Sequence, residues 1–246
     1  MKKSARKLLI FLYKPEHQAP FRVSQAIVSD IIGELSPAGK RSLLYLLKNK
    51  QFIAIEKLGA ESFIRITDKG KLAIQEEIPV LLPITSQQPV WHLILFKEAL
   101  STDKQFRFLR SLLIKQGCAP LTRGSYLYPG QLPNKVFHEC SSRYQDAVVV
   151  ISVKDWVFGM NTDKILEYYA VLDQGNAYSG ISNQLLRLIS RNVVFKELNS
   201  QDKLRFNSLF NHFCDLVAED RGLIPVYYPT LAQAKTVLFE FQEAVK

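Results

Sequence analysis

The chain has little of what usually holds small secreted or metal-binding domains together. Its only cysteines, Cys118, Cys140 and Cys214, are far apart in the 246 residues, odd in number and without a C-x-x-C pair. Such spacing offers neither a disulfide framework nor a zinc site, so we expect buried, reduced thiols of the kind found in cytoplasmic proteins. No apolar run reaches the roughly 18 residues that a membrane-spanning helix needs. We therefore expect no membrane segment.

Motifs for common enzyme chemistries are also missing. The chain has no G-x-G-x-x-G, no G-x-x-x-x-G-K-[ST] and no G-x-S-x-G, the patterns of dinucleotide sites, phosphate loops and hydrolase nucleophiles. The four histidines, His17, His92, His138 and His212, stand in separate segments without metal-ligand neighbours. These absences predict no catalytic site, no cofactor and no metal.

Acidic side chains are scarce in the first third of the chain. Residues 1–80 hold 14 Lys and Arg against 8 Asp and Glu, whereas residues 81–246 hold 18 against 15. The net charge of +9 therefore divides into +6 for the first segment and +3 for the rest. A basic patch of this kind is the electrostatic footprint of a polyanion, although an acidic protein or an anionic surface would also suit it.

A leucine-rich helix is predicted in the stretch SPAGKRSLLYLLKNK, residues 36–50. Ser36 can cap its first turn, and Pro37 suits the first helical position. At about 100° per residue, the spacing predicts that Leu43, Leu46 and Leu47 face a core. The residues predicted to project from the opposite side are Ala38, Arg41, Ser42, Tyr45 and Lys48.

The sequence after this helix changes to a period of two. QFIAIE and SFIRIT alternate as strands do, and KLGAES between them holds the glycine and polar residues of a hairpin turn. Two helical segments precede this unit, the second capped by Ser24, and a short helix after Thr67 follows it. Three helices, a hairpin and a closing helix predict a winged helix-turn-helix over residues 1–78, whose third helix would enter a major groove.

The rest of the chain divides into a linker and two further domains. Prolines interrupt regular structure over residues 79–89, which we interpret as the linker. Residues 90–161 follow a β-α-β, then α-β order that predicts a ferredoxin-like sandwich, and VVVISV within it is typical of a buried strand. Residues 162–246 are mainly helical. The chain is thus predicted to be α+β, with an N-terminal winged helix-turn-helix, a central ferredoxin-like domain and a helical C-terminal domain.

Several motifs together resemble the PaaX family of bacterial transcriptional repressors. They are a Trp-led strand, an R-x-x-L-x-x-x-G helix, a strand ending in Tyr-Pro and a late Asp-x-Gly-Leu-x-Pro. The residues at these positions are Trp91, Arg110, Leu113, Gly117, Tyr128, Pro129, Asp220, Gly222, Leu223 and Pro225. The resemblance covers nearly the whole chain and implies a winged helix, a central domain like the small CRISPR-adaptation nuclease and a helical C-terminal domain. It also implies a small effector of the acyl-coenzyme A type.

An enzymatic alternative follows from the same resemblance. The nuclease-like fold holds a divalent metal with an Asp just after its first strand. Here that place is taken by Phe96, Lys97 and Glu98, and a cation at the metal position argues against such chemistry. A metal-dependent nucleic-acid-processing enzyme built on the central domain remains the alternative function. A protein-interaction role for the winged helix is a third.

The function that we expect is a sequence-specific DNA-binding transcriptional regulator, a repressor that acts as a homodimer on double-stranded DNA. An arginine can bond a guanine bidentately, and lysines mainly meet phosphates. The residues expected to face base edges are Arg41, Ser42 and Tyr45, and those expected to meet phosphates are Lys40, Lys48, Lys57 and Arg65. Lys57 and Arg65 belong to the hairpin, which would be the wing.

Overall fold

The computed structural model describes residues 1–14, 21–81, 90–97, 104–157, 159, 161–189 and 195–246. The chain is an α+β protein, and these described residues form two antiparallel sheets, one of three strands and one of four. Most of the predicted linker, residues 82–89, lies outside the described residues, and so does Glu98. Within the described ranges, no helix is long and apolar enough to cross a membrane.

The described residues of the first part of the chain form four α-helices and three strands. In order these are α1 (Lys3–Leu12), β1 (Val23–Ser24), α2 (Gln25–Ile31), α3 (Pro37–Asn49), β2 (Ile53–Leu58), β3 (Glu61–Ile66) and α4 (Asp68–Glu77). The order across the sheet is β1-β3-β2. Strands β2 and β3 form the predicted hairpin, and Gly59 adopts a positive φ of 63° in the two-residue turn between them. The short strand β1 was not predicted.

The predicted helix caps are confirmed. The Ser24 hydroxyl accepts a hydrogen bond from the backbone N–H of Ile27, and Thr67 does the same for Gly70. These bonds satisfy backbone donors that have no partner within the helix, which is why Ser and Thr mark helix starts.

The middle of the chain contains the four-stranded sheet. Its elements are β4 (Trp91–Phe96), α5 (Lys104–Lys115), β5 (Ala119–Thr122), β6 (Ser125–Pro129), α6 (Asn134–His138), a π-helical turn (Glu139–Arg143) and β7 (Val148–Val153). The order across the sheet is β5-β6-β4-β7, and all neighbouring strands are antiparallel. One face of the sheet packs against α5 and α6 through a core that includes Ile94, Leu109 and Val136.

The prediction that VVVISV is a buried strand is wrong. This segment is β7, which lies at an edge of the sheet. Val149, Val150 and Ile151 are 37%, 38% and 42% exposed. A run of β-branched residues predicts a strand, but it does not tell a strand between two covered faces from an apolar strand at an edge.

The last part of the chain is helical, as predicted. It contains α7 (Thr162–Tyr168), α8 (Val171–Ile189), α9 (Ser200–Glu219), α10 (Ile224–Tyr227) and α11 (Ala234–Glu243). The chain divides into two compact units, one of Met1–Pro83, Gln174–Glu219 and Thr230–Lys246, the other of Ile84–Asp173 and Asp220–Pro229. The domain boundaries drawn from the sequence stay a prediction.

The core of the first unit joins the start of the chain to its end. The rings of Phe11 in α1 and Phe210 in α9 meet edge to face, with centroids 5.3 Å apart, and Phe241 in α11 lies 5.0 Å from Phe210. The Gln242 amide donates to the backbone carbonyls of Phe11 and Tyr13 at 2.9 and 2.6 Å. Aromatic pairs of this kind add about 0.5–1.5 kcal/mol each beyond the area they bury.

Candidate nucleic-acid interface

Helix α3 begins as its sequence predicts. The Ser36 hydroxyl accepts a hydrogen bond from the Gly39 N–H at 3.2 Å, and Pro37 occupies the first helical position. The helix ends at Asn49 in a Schellman motif, because Phe52 N–H donates to the Leu47 carbonyl and Gln51 N–H to that of Lys48, each at 2.9 Å. Both ends of α3 are therefore fixed, which holds its side chains at defined angles.

The buried face of α3 differs from the prediction at one leucine. Leu43 and Leu47 are buried as predicted, at 8% and 1% exposure. The prediction that Leu46 faces the core is wrong, because its side chain is 42% exposed. Leu44 is buried instead, at 6% exposure. The buried stripe is therefore centred on the side of Leu43, Leu44 and Leu47, and Leu46 lies at its margin. The exposed face is correspondingly wider.

The four predicted contact residues on the far side of α3 are all exposed. They are Arg41, Ser42, Tyr45 and Lys48, with Tyr45 69% accessible. Among the described residues, neither Arg41 nor Lys48 has an ion-pair partner. Lys40 is half-buried, because it stands three and four residues before Leu43 and Leu44 and shares their side of the helix.

Two further cations, which the sequence did not predict as contacts, lie beside the end of α3. Lys50 and Lys69 are exposed, and the Lys69 ammonium lies 3.4 Å from the Gln51 side-chain oxygen. Lys69 is on α4, nineteen positions after Lys50. The hairpin and the Thr67 cap bring the start of α4 back to the end of α3. The order of charges along the sequence could not show that these two segments meet.

The two hairpin cations have different environments. Lys57 is exposed near the turn and has no ion-pair partner within the described residues. Arg65 is half-buried, and its Nε donates to Glu56 at 2.5 Å across the hairpin. Arg22 contributes a second ion pair to Glu56 at 3.4 Å. The hydrogen bond from Arg65, and then the charge of Arg22, lower the pKa of Glu56, so this carboxylate neutralises part of the positive charge on the hairpin.

In the second unit, the motif residue Gly117 contacts residues that are distant in sequence. Gly117 ends α5 with a φ of 83°, and the Arg221 guanidinium occupies the space that a side chain would fill. The Tyr169 hydroxyl lies 2.9 Å from the Gly117 carbonyl and 3.1 Å from that of Leu127. Burial raises the pKa of the neighbouring Cys118 thiol to about 12, so this thiol stays protonated and unreactive at neutral pH.

A cleft of about 770 Å³ lies beside α6 and β7 in the same unit. Its residues are His92, Gln131, Leu132, Asn134, Phe137, Cys140, Ser141, Gln145, Val148, Val150 and Ser152. The His92 Nδ1 lies 2.8 Å from the Gly130 carbonyl, which can only accept, so Nδ1 carries the proton and Nε2 can accept from the Ser152 hydroxyl at 3.2 Å. Among the residues that the structure describes, the lining includes no Lys, Arg, Asp or Glu.

No group of three or more His, Cys, Asp and Glu side chains that could hold a metal ion occurs within the described ranges. Strand β4 ends at Phe96, and Lys97 follows it directly, with its N–H donating to the Ala147 carbonyl. Glu98 lies outside the part of the chain that the structure describes.

Comparisons with solved structures give distant similarities. The chain resembles the uncharacterized protein Rv0674 from Mycobacterium tuberculosis with a TM-score of 0.46 and 14% sequence identity, over 99% of this chain and 93% of that one. No protein-family model matches the chain. No curated protein matches it either.

Proposed function

We propose that the protein is a sequence-specific DNA-binding transcriptional regulator, a repressor that binds double-stranded DNA as a homodimer. The observation that carries the proposal is the exposed face of α3, where Arg41, Tyr45 and Lys48 project from a helix whose other face is anchored in the core. A helix that presents a cation without an ion-pair partner beside polar and aromatic side chains has what major-groove recognition needs.

The order of elements supports this function. Helices α1, α2 and α3 are followed by the β2-β3 hairpin, and β1 completes a three-stranded sheet. This is the order of elements expected of a winged helix-turn-helix, which supports the proposal. In this proposal α3 is the recognition helix and the hairpin is the wing. The second sheet has the β-α-β-β-α-β order of ferredoxin-like domains. Together these two folds are what the resemblance to the PaaX family implies, and we propose membership of that family.

The proposed contacts differ in kind. Arg41 would bond a guanine, and Ser42 and Tyr45 would complete the contacts to base edges. Lys48, Lys40 and Lys57 would meet phosphates, and Lys50 and Lys69 extend the same positive surface. Arg65 would reach a phosphate only by leaving Glu56, so we assign it a smaller share of the affinity than Lys57.

The test compares cations on α3 with matched cations elsewhere. We expect Arg41→Ala to cost about 1–3 kcal/mol in binding and to relax the preference at one base pair, whereas Lys48→Ala weakens all sequences alike. Arg123→Ala and Lys164→Ala are the controls, because both residues are exposed in the second unit and each removes the same charge. Operator DNA is first selected from random duplexes and binding is then measured by fluorescence anisotropy.

Two outcomes would contradict the proposal. If the α3 variants bind like the controls, the exposed face of α3 does not contact DNA. If the purified protein cleaves labelled DNA or RNA with Mg²⁺ or Mn²⁺ and a chelator abolishes the cleavage, the nucleic-acid-processing enzyme is the better description. Lys97, directly after β4, is the reason that we expect no such cleavage.

A small effector completes the proposal. The cleft beside α6 and β7 has a volume within the usual range for ligand sites, and its described lining of apolar and uncharged polar residues suits an acyl chain or a ring. Its lining offers no cation to the phosphates of an acyl-coenzyme A. Titrating acyl-coenzyme A thioesters and the matching free acids into a protein–DNA complex separates these ligands, and unchanged DNA affinity with both series would remove the effector.

A further inference from the structure

Strand β7 has an open edge with an apolar surface. It pairs with β4 along its whole length, and among the described strands none pairs with its other side. Its six residues, Val148–Val153, contain no proline and no charge, and the second to fourth of them are each more than a third exposed. Such an edge is a template for another strand, and natural proteins seldom leave one uncovered.

The opposite edge of the same sheet is protected. Strand β5 carries Pro120, and its pairing with β6 shifts register between Pro120 and Thr122. Proline removes a backbone donor and an irregular register bends the strand, and both are devices that prevent edge-to-edge pairing. Leu121 on β5 is 41% exposed, almost the same as Ile151 on β7. The sheet therefore blocks one edge and leaves the other available.

The charges around β7 identify the strand that fits it. Asp146 lies in the turn before β7 and Lys154 directly follows the strand, each four residues from Val150. Both are exposed, and neither forms an ion pair with a described residue. When a second copy of β7 runs antiparallel with the two Val150 residues opposite each other, each Asp146 comes beside the partner's Lys154. If the two-fold axis lay at Val149 or Ile151 instead, Asp146 would not lie beside the partner's Lys154.

We propose that β7 is the dimer contact of this protein, formed by two copies of the strand paired antiparallel about a two-fold axis at Val150. The pairing joins two four-stranded sheets into one of eight strands. It places Val149 opposite the partner's Ile151, and β-branched pairs of this kind stabilise antiparallel strands. A two-fold contact requires a surface complementary to itself, and the Asp146–Lys154 spacing provides one.

This inference rests on the proposed function only for the expectation that the chain dimerises, and it names the surface. Its test needs no DNA, so failure of the dimer contact and failure of DNA recognition give different results. The parent chain should sediment as a dimer at micromolar concentration. Ile151→Lys should sediment as a monomer, because edge lysines oppose strand pairing, whereas Leu121→Lys on the protected edge should remain a dimer.

Charge exchange tests the register. Asp146→Lys places lysine beside lysine twice in the dimer, and we expect the dissociation constant of the dimer to rise about tenfold. Lys154→Asp should act in the same way, and the double variant D146K/K154D should return to within about threefold of the parent, because the opposite charges meet again. Circular dichroism checks that each variant is folded.

Cross-linking provides a second measurement of the same register. Val150→Cys should form an intermolecular disulfide on mild oxidation, because the two introduced thiols face each other across the axis, and Leu121→Cys should not. The native thiols are buried. A monomeric parent, equal dissociation of the Ile151→Lys and Leu121→Lys variants, or no recovery in the double charge variant would each overturn the proposal.

Discussion

At the scale of single residues, Gly70 shows how one missing side chain sets the position of a helix. It is the third residue of α4, and a Cβ built on it would lie 2.1 Å from the Phe52 carbonyl oxygen. The lack of a side chain therefore lets α4 approach the segment that leaves α3. The sequence shows a glycine in a helical pattern but not which backbone approaches it, so this role could not be predicted.

We expect Gly70→Ala to lower the free energy of unfolding by about 3 kcal/mol or more, since the obstacle is backbone and cannot rotate away. Gly180→Ala is the matched control, because Gly180 is also helical but, among the described residues outside its own helical turn, no atom lies within 4 Å of its added Cβ. We expect that variant to gain about 0.5–1 kcal/mol from helix propensity. Urea unfolding measures both, and equal effects would contradict the close approach.

Ionisation of the Cys118 thiol should lower the stability of the second unit at alkaline pH. Burial raises its pKa from 9.0 to about 12, so the unfolded chain loses the thiol proton first as the pH rises. The stabilisation is complete below pH 9 and is lost as the pH rises towards 12. We expect Cys118→Ala to reduce the slope of unfolding free energy against pH in this range by about 1 kcal/mol per pH unit. If the unfolding free energies of the parent and of Cys118→Ala differ by the same amount at every pH, the thiol contributes packing alone.

At the scale of secondary-structure elements, helix α3 was predictable in its ends and only partly in its faces. The serine cap and Pro37 act through local backbone geometry, which the sequence contains. Leucines at 43, 44, 46 and 47 fit two overlapping stripes, and only packing against the rest of the unit decides between Leu44 and Leu46. Strand β7 shows the same limit, because its position in the sheet depends on strand order.

The two leucines give a direct comparison. We expect Leu44→Ala to destabilise the protein by about 2–5 kcal/mol through the cavity it leaves, and Leu46→Ala to change stability by no more than about 0.5 kcal/mol. Both substitutions remove the same atoms from the same helix, so helix propensity cancels between them. Thermal or urea unfolding measures both losses. A larger loss for Leu46→Ala than for Leu44→Ala would show that Leu46 is the buried residue, as the spacing predicts.

At the scale of the whole molecule, the sequence predicts the class of fold and the order of elements better than their packing. Helical and strand periods give the helix–hairpin unit, because it is a local pattern. For residues 90–161 they predict three strands where the structure has four, because β5 and β6 were predicted as one strand. The contact of α1 with α9 and α11, through Phe11, Phe210 and Gln242, joins residues about 200 positions apart. No local period records such a contact. For the candidate site, the exposed cations of α3 were predicted, but the Glu56 partner of Arg65 was not.

The dependence of DNA binding on salt tests the proposed DNA contact of α3 and the proposed dimer contact of β7 together. Each phosphate contact releases condensed counterions and adds about 0.9 to the slope of log affinity against log salt. A dimer carries two copies of α3, so we expect Lys48→Ala to lower the slope by about two, one for each half-site. Half-sites should lie about one helical turn apart or a multiple of it. Ile151→Lys, which we expect to be monomeric, should bind a single half-site with about half the parent slope and lose the preference for half-site spacing. If it instead keeps the full slope and the spacing preference, the protein pairs on DNA through a surface other than β7.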